Sequence, residues 1–174
     1  MIYYKRMKRK EGGTLSVVEL QQVTDVNIPD ASIVYSTSWQ ASHKGIVSDE
    51  YLATHTPKFK MKFLDEEIDS SCTEVYLLRD NNIPVGIISL NVEIGEIKSI
   101  YIAPEFWGKG YGKYMLNFAV SRLNRFQTIF LIVMNKNLGA RKFYENYGFV
   151  YSGDEKILSI ETGLSEMKYF YITK

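Results

Sequence analysis

Apolar positions along the chain fall into two rhythms, and the change from one to the other marks the elements. Leu15 to Leu20 alternate loosely and carry paired valines, which reads as a strand. Pro29 and Asp30 then supply a helix start, Ile33, Val34 and Trp39 a partial apolar face, and Gly45 a stop. Ser48, followed by Asp49 and Glu50, is a second start, because a hydroxyl oxygen and first-turn acids satisfy free amides and the positive helix end. A short helix through Ala53 follows. In "KFKMKFLDEEIDSS" Phe59, Met61 and Phe63 alternate while the charge turns from basic to acidic, so strand and helix compete and the type stays open.

From Glu74 onward three apolar runs are separated by Asp80-Asn81-Asn82 and by Glu93 to Gly95. Asparagines tolerate left-handed backbone, so the runs read as an antiparallel meander. Met115, Leu116, Ala119, Val120 and Leu123 recur at helical spacing over about three turns. "TIFLIVM" has the unbroken apolar character of a central strand covered on both faces. "NLGARKFYENYGF" places Ala140, Phe143, Tyr144 and Tyr147 on one helical face, with Asn137 as cap and Gly148 as stop. "FVYSGD" and "MKYFYIT" close the chain as two strands. The order predicts an α/β (α+β) fold, a mixed and mostly antiparallel sheet flanked by helices, with residues 1–174 forming one domain.

Composition narrows the partners. The 174 residues are 45% hydrophobic and 24% charged, ordinary for a globular chain. A net charge of +1 provides no field to steer the chain toward nucleic acid or a membrane. The 13 tyrosines are spread over apolar faces without a basic stripe, so packing explains them better than base stacking. Cys72 is the only cysteine, which excludes an internal disulfide and a multi-cysteine metal site, so no metal is expected and a reducing cytoplasm fits best. No run reaches the length of a membrane-spanning helix. "MIYYKRMKRKEGG" lacks the apolar core of a secretory signal, and residues 1–13 read as a solvated, mobile basic terminus.

The densest chemical signal is "YIAPEFWGKGYGKYML", where Gly108, Gly110 and Gly112 stand between an apolar run ending in Pro104 and a helix. Such a turn aims backbone amides outward at the positive helix end and makes an anion site. A Walker A loop fails, because Lys109 precedes Gly110 and Lys113 precedes Tyr114 rather than Ser or Thr. A dinucleotide fingerprint fails too, since the spacing is G-x-G-x-G and "FQTIF" offers no acid.

The stretch resembles the acetyl-CoA loop of the GCN5-related N-acetyltransferase (GNAT) superfamily, in which Gln or Arg, two variable residues, Gly, one variable residue, and Gly or Ala follow a strand ending in proline. Trp107 stands where Gln or Arg is expected. A second motif of that family resembles Asn137, Ala140, Phe143-Tyr144-Glu145 and Gly148-Phe149. The detailed resemblance covers about residues 96–153. It implies acetyl-CoA as co-substrate, held by the strand backbone at Ile100, Tyr101 and Ile102, by the loop at Trp107, Gly108, Lys109, Gly110, Tyr111, Gly112 and Lys113, and by Asn137 and Tyr144.

It further implies direct attack of a primary amine on the thioester, with Tyr144 protonating the departing sulfur and Glu96 removing the amine's proton directly or through water. An amino-acid reading alone leaves Tyr144 as a core tyrosine, Asn137 as a cap and Glu96 as a surface acid equally open. His43 and His55 read as surface histidines, and Cys72 has no base to activate it. The acceptor is expected to be a small-molecule amine or polyamine, drawn by an acidic rim at Asp65, Glu66, Glu67 and Asp69. A protein N-terminus or lysine, and a non-catalytic acyl-CoA-binding module, are the alternatives. Exposed edge strands near the carboxyl end leave monomer and homodimer both open.

Overall fold

The computed structural model describes residues 3–11 and 14–173, with side chains from Ser16 onward. The chain runs β1 (Tyr3–Glu11), β2 (Thr14–Gln22), α1 (Ile28–His43), α2 (Asp49–Thr54), α3 (Pro57–Ile68), β3 (Thr73–Asp80), β4 (Ile83–Asn91) and β5 (Glu96–Ile102). A short 3-10 turn (Pro104–Phe106) leads into α4 (Tyr111–Arg122), β6 (Thr128–Met134), α5 (Leu138–Tyr147), β7 (Val150–Ser159) and β8 (Leu164–Ile172). The strands form one sheet in the order β1-β2-β3-β4-β5-β6-β8-β7, antiparallel except between β5 and β6.

Alternation along the central strands divides the interior into two layers. Tyr76, Leu78, Ile88 and Leu90 face α4 and α5, while Val75, Leu77 and Ile87 face α1 and α3. The β3–β4 turn uses Asn81 and Asn82 at φ 48° and 67°, the left-handed pair that suits a tight hairpin. Helices begin and end where their caps dictate. Ser48 Oγ accepts from the Tyr51 amide, Asn137 Oδ1 from the Ala140 amide, and Gly148 closes α5 at φ 117°.

One open reading is decided and two expectations change. "KFKMKF" is helical, because Thr56 caps the Phe59 amide, Pro57 opens the first turn, and Lys60, Leu64 and Glu67 form a buried face at helical spacing. The alternating Phe59 is 46% exposed and takes no part in the core. Most of the basic segment read as a mobile terminus, Tyr3–Glu11, is an edge strand paired with β2, while residues 1, 2, 12 and 13 lie outside the described residues. β6 is central but not covered on both faces: Ile132 is 47% exposed, because its side of the sheet borders an open cleft. No described helix is long and apolar enough to cross a membrane.

Gly86 on β4 holds the central strands together. A Cβ there would stand 2.9 Å from the Tyr101 carbonyl oxygen and 2.7 Å from Ile102 Cδ1, on the strand that borders the cleft. Gly86→Ala is expected to lower unfolding stability by about 1–3 kcal/mol through overpacking, which urea denaturation would measure.

Candidate active site

β5 and β6 are joined by only two parallel rungs, Glu96↔Phe130 and Ile97↔Leu131. Immediately after them the β4–β5 register slips: Leu90 faces Ile97 but Ser89 faces Ser99, so Lys98 is an extra residue on β5. A bulge of this kind bends and twists its strand, and here it accompanies the parting of β5 from β6. Beyond it Ile100, Tyr101 and Ile102 still pair with β4 but have no rung to β6. Backbone groups on that side are therefore available to an extended ligand, apart from the Ile102 carbonyl, which accepts from the Trp107 indole.

The gap opens into a cleft of about 950 Å³. One wall is β5 from Glu96 to Ile102, the opposite wall is β6 at Ile132–Met134 with the start of α5, and the end of α1 closes a third side with Trp39 and His43. The glycine turn sits at the far end of β5. Gly108 and Gly110 adopt φ 73° and 84°, left-handed values that favour glycine, and a Cβ at either would meet nothing within 4 Å. Gly110 caps α4, so the amides of Tyr111, Gly112 and Lys113 are first-turn donors without intrahelical acceptors. Such a group of free amides at a helix start suits an anion.

Gly112 has a different reason to be bare. A Cβ there would lie 3.0 Å from Phe143 Cζ, so it permits the close approach of α5 to α4. Tyr111 turns its side chain away from the loop into the core, where its hydroxyl donates to Asp80 Oδ2. Only its backbone serves the turn. Lys109 is the one predicted loop residue absent from the cleft lining; its ammonium lies 5.0 Å over the Phe106 ring. Trp107 lines the cleft, 52% exposed, and its indole N–H donates to the Ile102 carbonyl at 2.7 Å. The residue standing in the usual Gln or Arg position is thus a strut between loop and strand.

Tyr144 lies on the buried face of α5 and borders the cleft. Burial pushes its phenol well above the ordinary range, so it stays protonated at physiological pH, and its hydroxyl has no protein hydrogen-bond partner among the described residues. Tyr101 is raised as well, first by burial and then by the neighbouring Tyr35 and Tyr144 phenols. Asn137 combines its capping bond, Oδ1 accepting from the Ala140 amide at 3.1 Å, with a place on the cleft lining. Glu96 lies at the opposite end of β5, and burial raises its carboxyl pKa, with Lys98 acting against the shift.

The acidic run expected as a rim is only partly one. Asp65, Glu66 and Asp69 are exposed, but Glu67 is buried, its Oε1 bonded to Lys98 Nζ at 2.6 Å. His43 and His55, read as surface residues, are each 6% exposed. They flank the Trp39 indole, with ring centres 4.3 Å and 3.5 Å from it. Trp39 and His43 are four residues apart and so share a helix face. That spacing was the signal available for placing His43 inside. Cys72 lies outside the cleft lining, its Sγ 3.0 Å from Ser70 Oγ.

Solved structures share this fold. The PaiA N-acetyltransferase of Thermoplasma acidophilum, in complex with coenzyme A, is 18% identical with a TM-score of 0.72, over 88% of this chain and 99% of that one. The ribosomal-protein-S18-alanine N-acetyltransferase of Escherichia coli is 15% identical with a TM-score of 0.67, over 90% and 94% of the two chains. The spermidine/spermine N-acetyltransferase SpeG of Vibrio cholerae is 17% identical with a TM-score of 0.63, over 90% and 92%. The model of the acetyltransferase (GNAT) family matches residues 40–149, and the chain belongs to that family of acetyl-CoA-dependent N-acetyltransferases.

The glycine turn gives a test at one position. Gly110→Asp places a carboxylate beside the pyrophosphate site and is expected to weaken acetyl-CoA binding by roughly 1–4 kcal/mol, whereas Gly110→Ala adds only a Cβ into open space and about 1–2 kcal/mol of backbone strain. Calorimetric titration compares the two. Unchanged affinity in the aspartate variant would remove the loop from the binding site.

Proposed function

We propose that the protein transfers acetyl from acetyl-CoA to a primary amine of a small cationic molecule of the polyamine class. The observation that carries this reading is the pairing of two different ends in one cleft. An anion cradle at Gly108–Lys113 lies at one end of β5, and the carboxylate of Glu96 lies at the other, with Glu166 also on the lining. A diphosphate carrier suits the first end and an ammonium the second.

The residues present fit the carrier. Amides of the glycine turn would hold the pyrophosphate, the edge of Ile100–Ile102 that has no rung to β6 would hold the pantetheine arm, and Asn137 borders the same path. Acetyl-CoA, when bound, supplies the acetyl group as a thioester and leaves as a thiol. Tyr144, kept protonated by burial, provides the proton for the sulfur. Glu96 receives the acceptor's ammonium. Five residues of strand separate it from Tyr101, roughly 16 Å at strand rise, so it acts on the acceptor's charge through water. Burial raises its pKa, so its charge, and with it its attraction for the ammonium, is lost as pH falls through that pKa.

Thiol release from acetyl-CoA, followed with spermidine and with an Ala-terminated peptide as acceptors, tests the reading. Release with spermidine is expected. Release with the peptide alone would move the acceptor to protein N-termini, and acetyl-CoA binding without release for any amine would leave a binding module. Tyr144→Phe is expected to lower kcat roughly 100-fold with acetyl-CoA affinity retained. Glu96→Gln should chiefly raise KM for spermidine; an unchanged KM and pH profile would take the acceptor's charge elsewhere.

A further inference from the structure

The proposed reaction leaves one task without a nearby group: something must take the ammonium proton where the amine meets the thioester. Tyr144 marks that place from the α5 side, and Tyr101 is its neighbour on β5. On the other side of Tyr101 stands His43, with ring centres 6.2 Å apart. His43 is the last residue of α1, and it lines the cleft although it is almost wholly buried.

Its tautomer follows from its contacts. Nδ1 lies 2.8 Å from the Trp39 carbonyl oxygen, which can only accept, so Nδ1 carries the proton. Ser42 Oγ, 2.9 Å away, adds a second contact to the same nitrogen. Nε2 is left with a lone pair and no protein partner among the described residues. The ring is also held in place, since it stacks on Trp39 at an interplanar angle of 17°. A neutral imidazole, fixed by its far nitrogen and presented to a cleft, is the arrangement that a general base requires.

We infer that His43 Nε2 takes the proton from the acceptor's ammonium, with Glu96 as the water-linked group that draws the cation in. This rests on the transferase reading above. The N–H bond of the ammonium breaks, its proton goes to Nε2, and the freed amine lone pair attacks. The imidazolium then returns its proton to water, which accounts for the one proton released when an ammonium and a thioester become an amide and a thiol. The amine's second proton balances the one that sulfur receives through Tyr144.

The surroundings keep the ring neutral for this work. Facing it are Tyr101 from β5, Lys60 from α3, His55 just after α2 across the Trp39 indole, and Ser42 and Trp39 from its own helix. Burial is the largest influence and lowers the His43 pKa; the Trp39 carbonyl raises it, and Lys60 and His55 lower it further. Lys60 is itself buried among aromatic rings, its Nζ 4.0 Å from the centre of Tyr35 and 5.0 Å from that of Trp39, and burial brings its pKa down to about 8. The base form of His43 is therefore present above pH 6.5 and lost only in more acidic solution.

Two measurements test the inference. Imidazole nitrogen NMR on the wild-type protein, with His43 and His55 told apart through His55→Gln, should show His43 protonated at Nδ1 when neutral and titrating below 6.5. Its Nε2 resonance should shift on addition of coenzyme A with spermidine. A neutral ring protonated at Nε2, or an Nε2 insensitive to the pair, overturns the inference without any use of turnover. In kinetics, His43→Asn keeps a donor for the Trp39 carbonyl but lacks Nε2. It should lower kcat/KM roughly 100-fold and abolish the acid limb of the pH profile, with acetyl-CoA affinity unchanged. A wild-type rate and profile in both His43→Asn and His43→Gln sinks the inference while leaving the transferase reading intact. Absence of transfer to any amine by the wild type, despite acetyl-CoA binding, sinks that reading and this inference with it.

Discussion

Everything in the cleft depends on β5 being unable to satisfy two neighbours along its whole length. It pairs with β4 to its end, but with β6 for two rungs only, and the extra residue at Lys98 falls where the pairing stops. A strand edge left open inside a sheet exposes backbone donors and acceptors that must be met by something. Water can meet them, and so can an extended chain of amide groups. The pantetheine arm of coenzyme A is such a chain, so the same defect that weakens the sheet offers an edge suited to the proposed carrier. Lys98 itself leaves the sheet to pair with buried Glu67, tying the bulge to α3.

The two ends of β5 are then treated differently by the fold. At its C-terminal end the chain turns through left-handed glycines into α4, and first-turn amides gather where the strand finishes. The Trp107 indole braces this corner by bonding the Ile102 carbonyl, a contact that neither depends on nor supplies charge. At its N-terminal end the cleft presents the carboxylate of Glu96, its pKa raised by burial, while the aromatic wall from α1 meets β5 nearer Tyr101.

The α1–α3 layer contributes more than cover. Trp39, flanked by two imidazoles, with Lys60 over its face, forms a block of rings in which both histidines are held through Nδ1 and the Lys60 ammonium lies against π-density. Desolvation is the leading cause of the lowered pKa values of both histidines and Lys60. The layer therefore tunes protonation at the same time as it closes the cleft.

Sequence alone determined whatever is local. Asn81 and Asn82 turn a hairpin, Asn137 and Gly148 bound a helix, and Gly108 and Gly110 bend the loop before α4, because each acts on backbone within a few residues of itself. The candidates on β5, the loop and α5 were named through the family resemblance that two short motifs carry, and all but Lys109 line the cleft. Tertiary structure decided the rest. Helix won over strand at Pro57–Ile68 because Leu64 had a core to enter, and Gly112 proved to be a packing position because Phe143, distant in sequence, comes against it. The insertion of β8 between β6 and β7, the burial of Glu67, and the conversion of His43 from a surface residue into a wall of the cleft all require partners from other elements. Burial and long-range pairing are properties of two segments at once, and no single stretch of letters carries them.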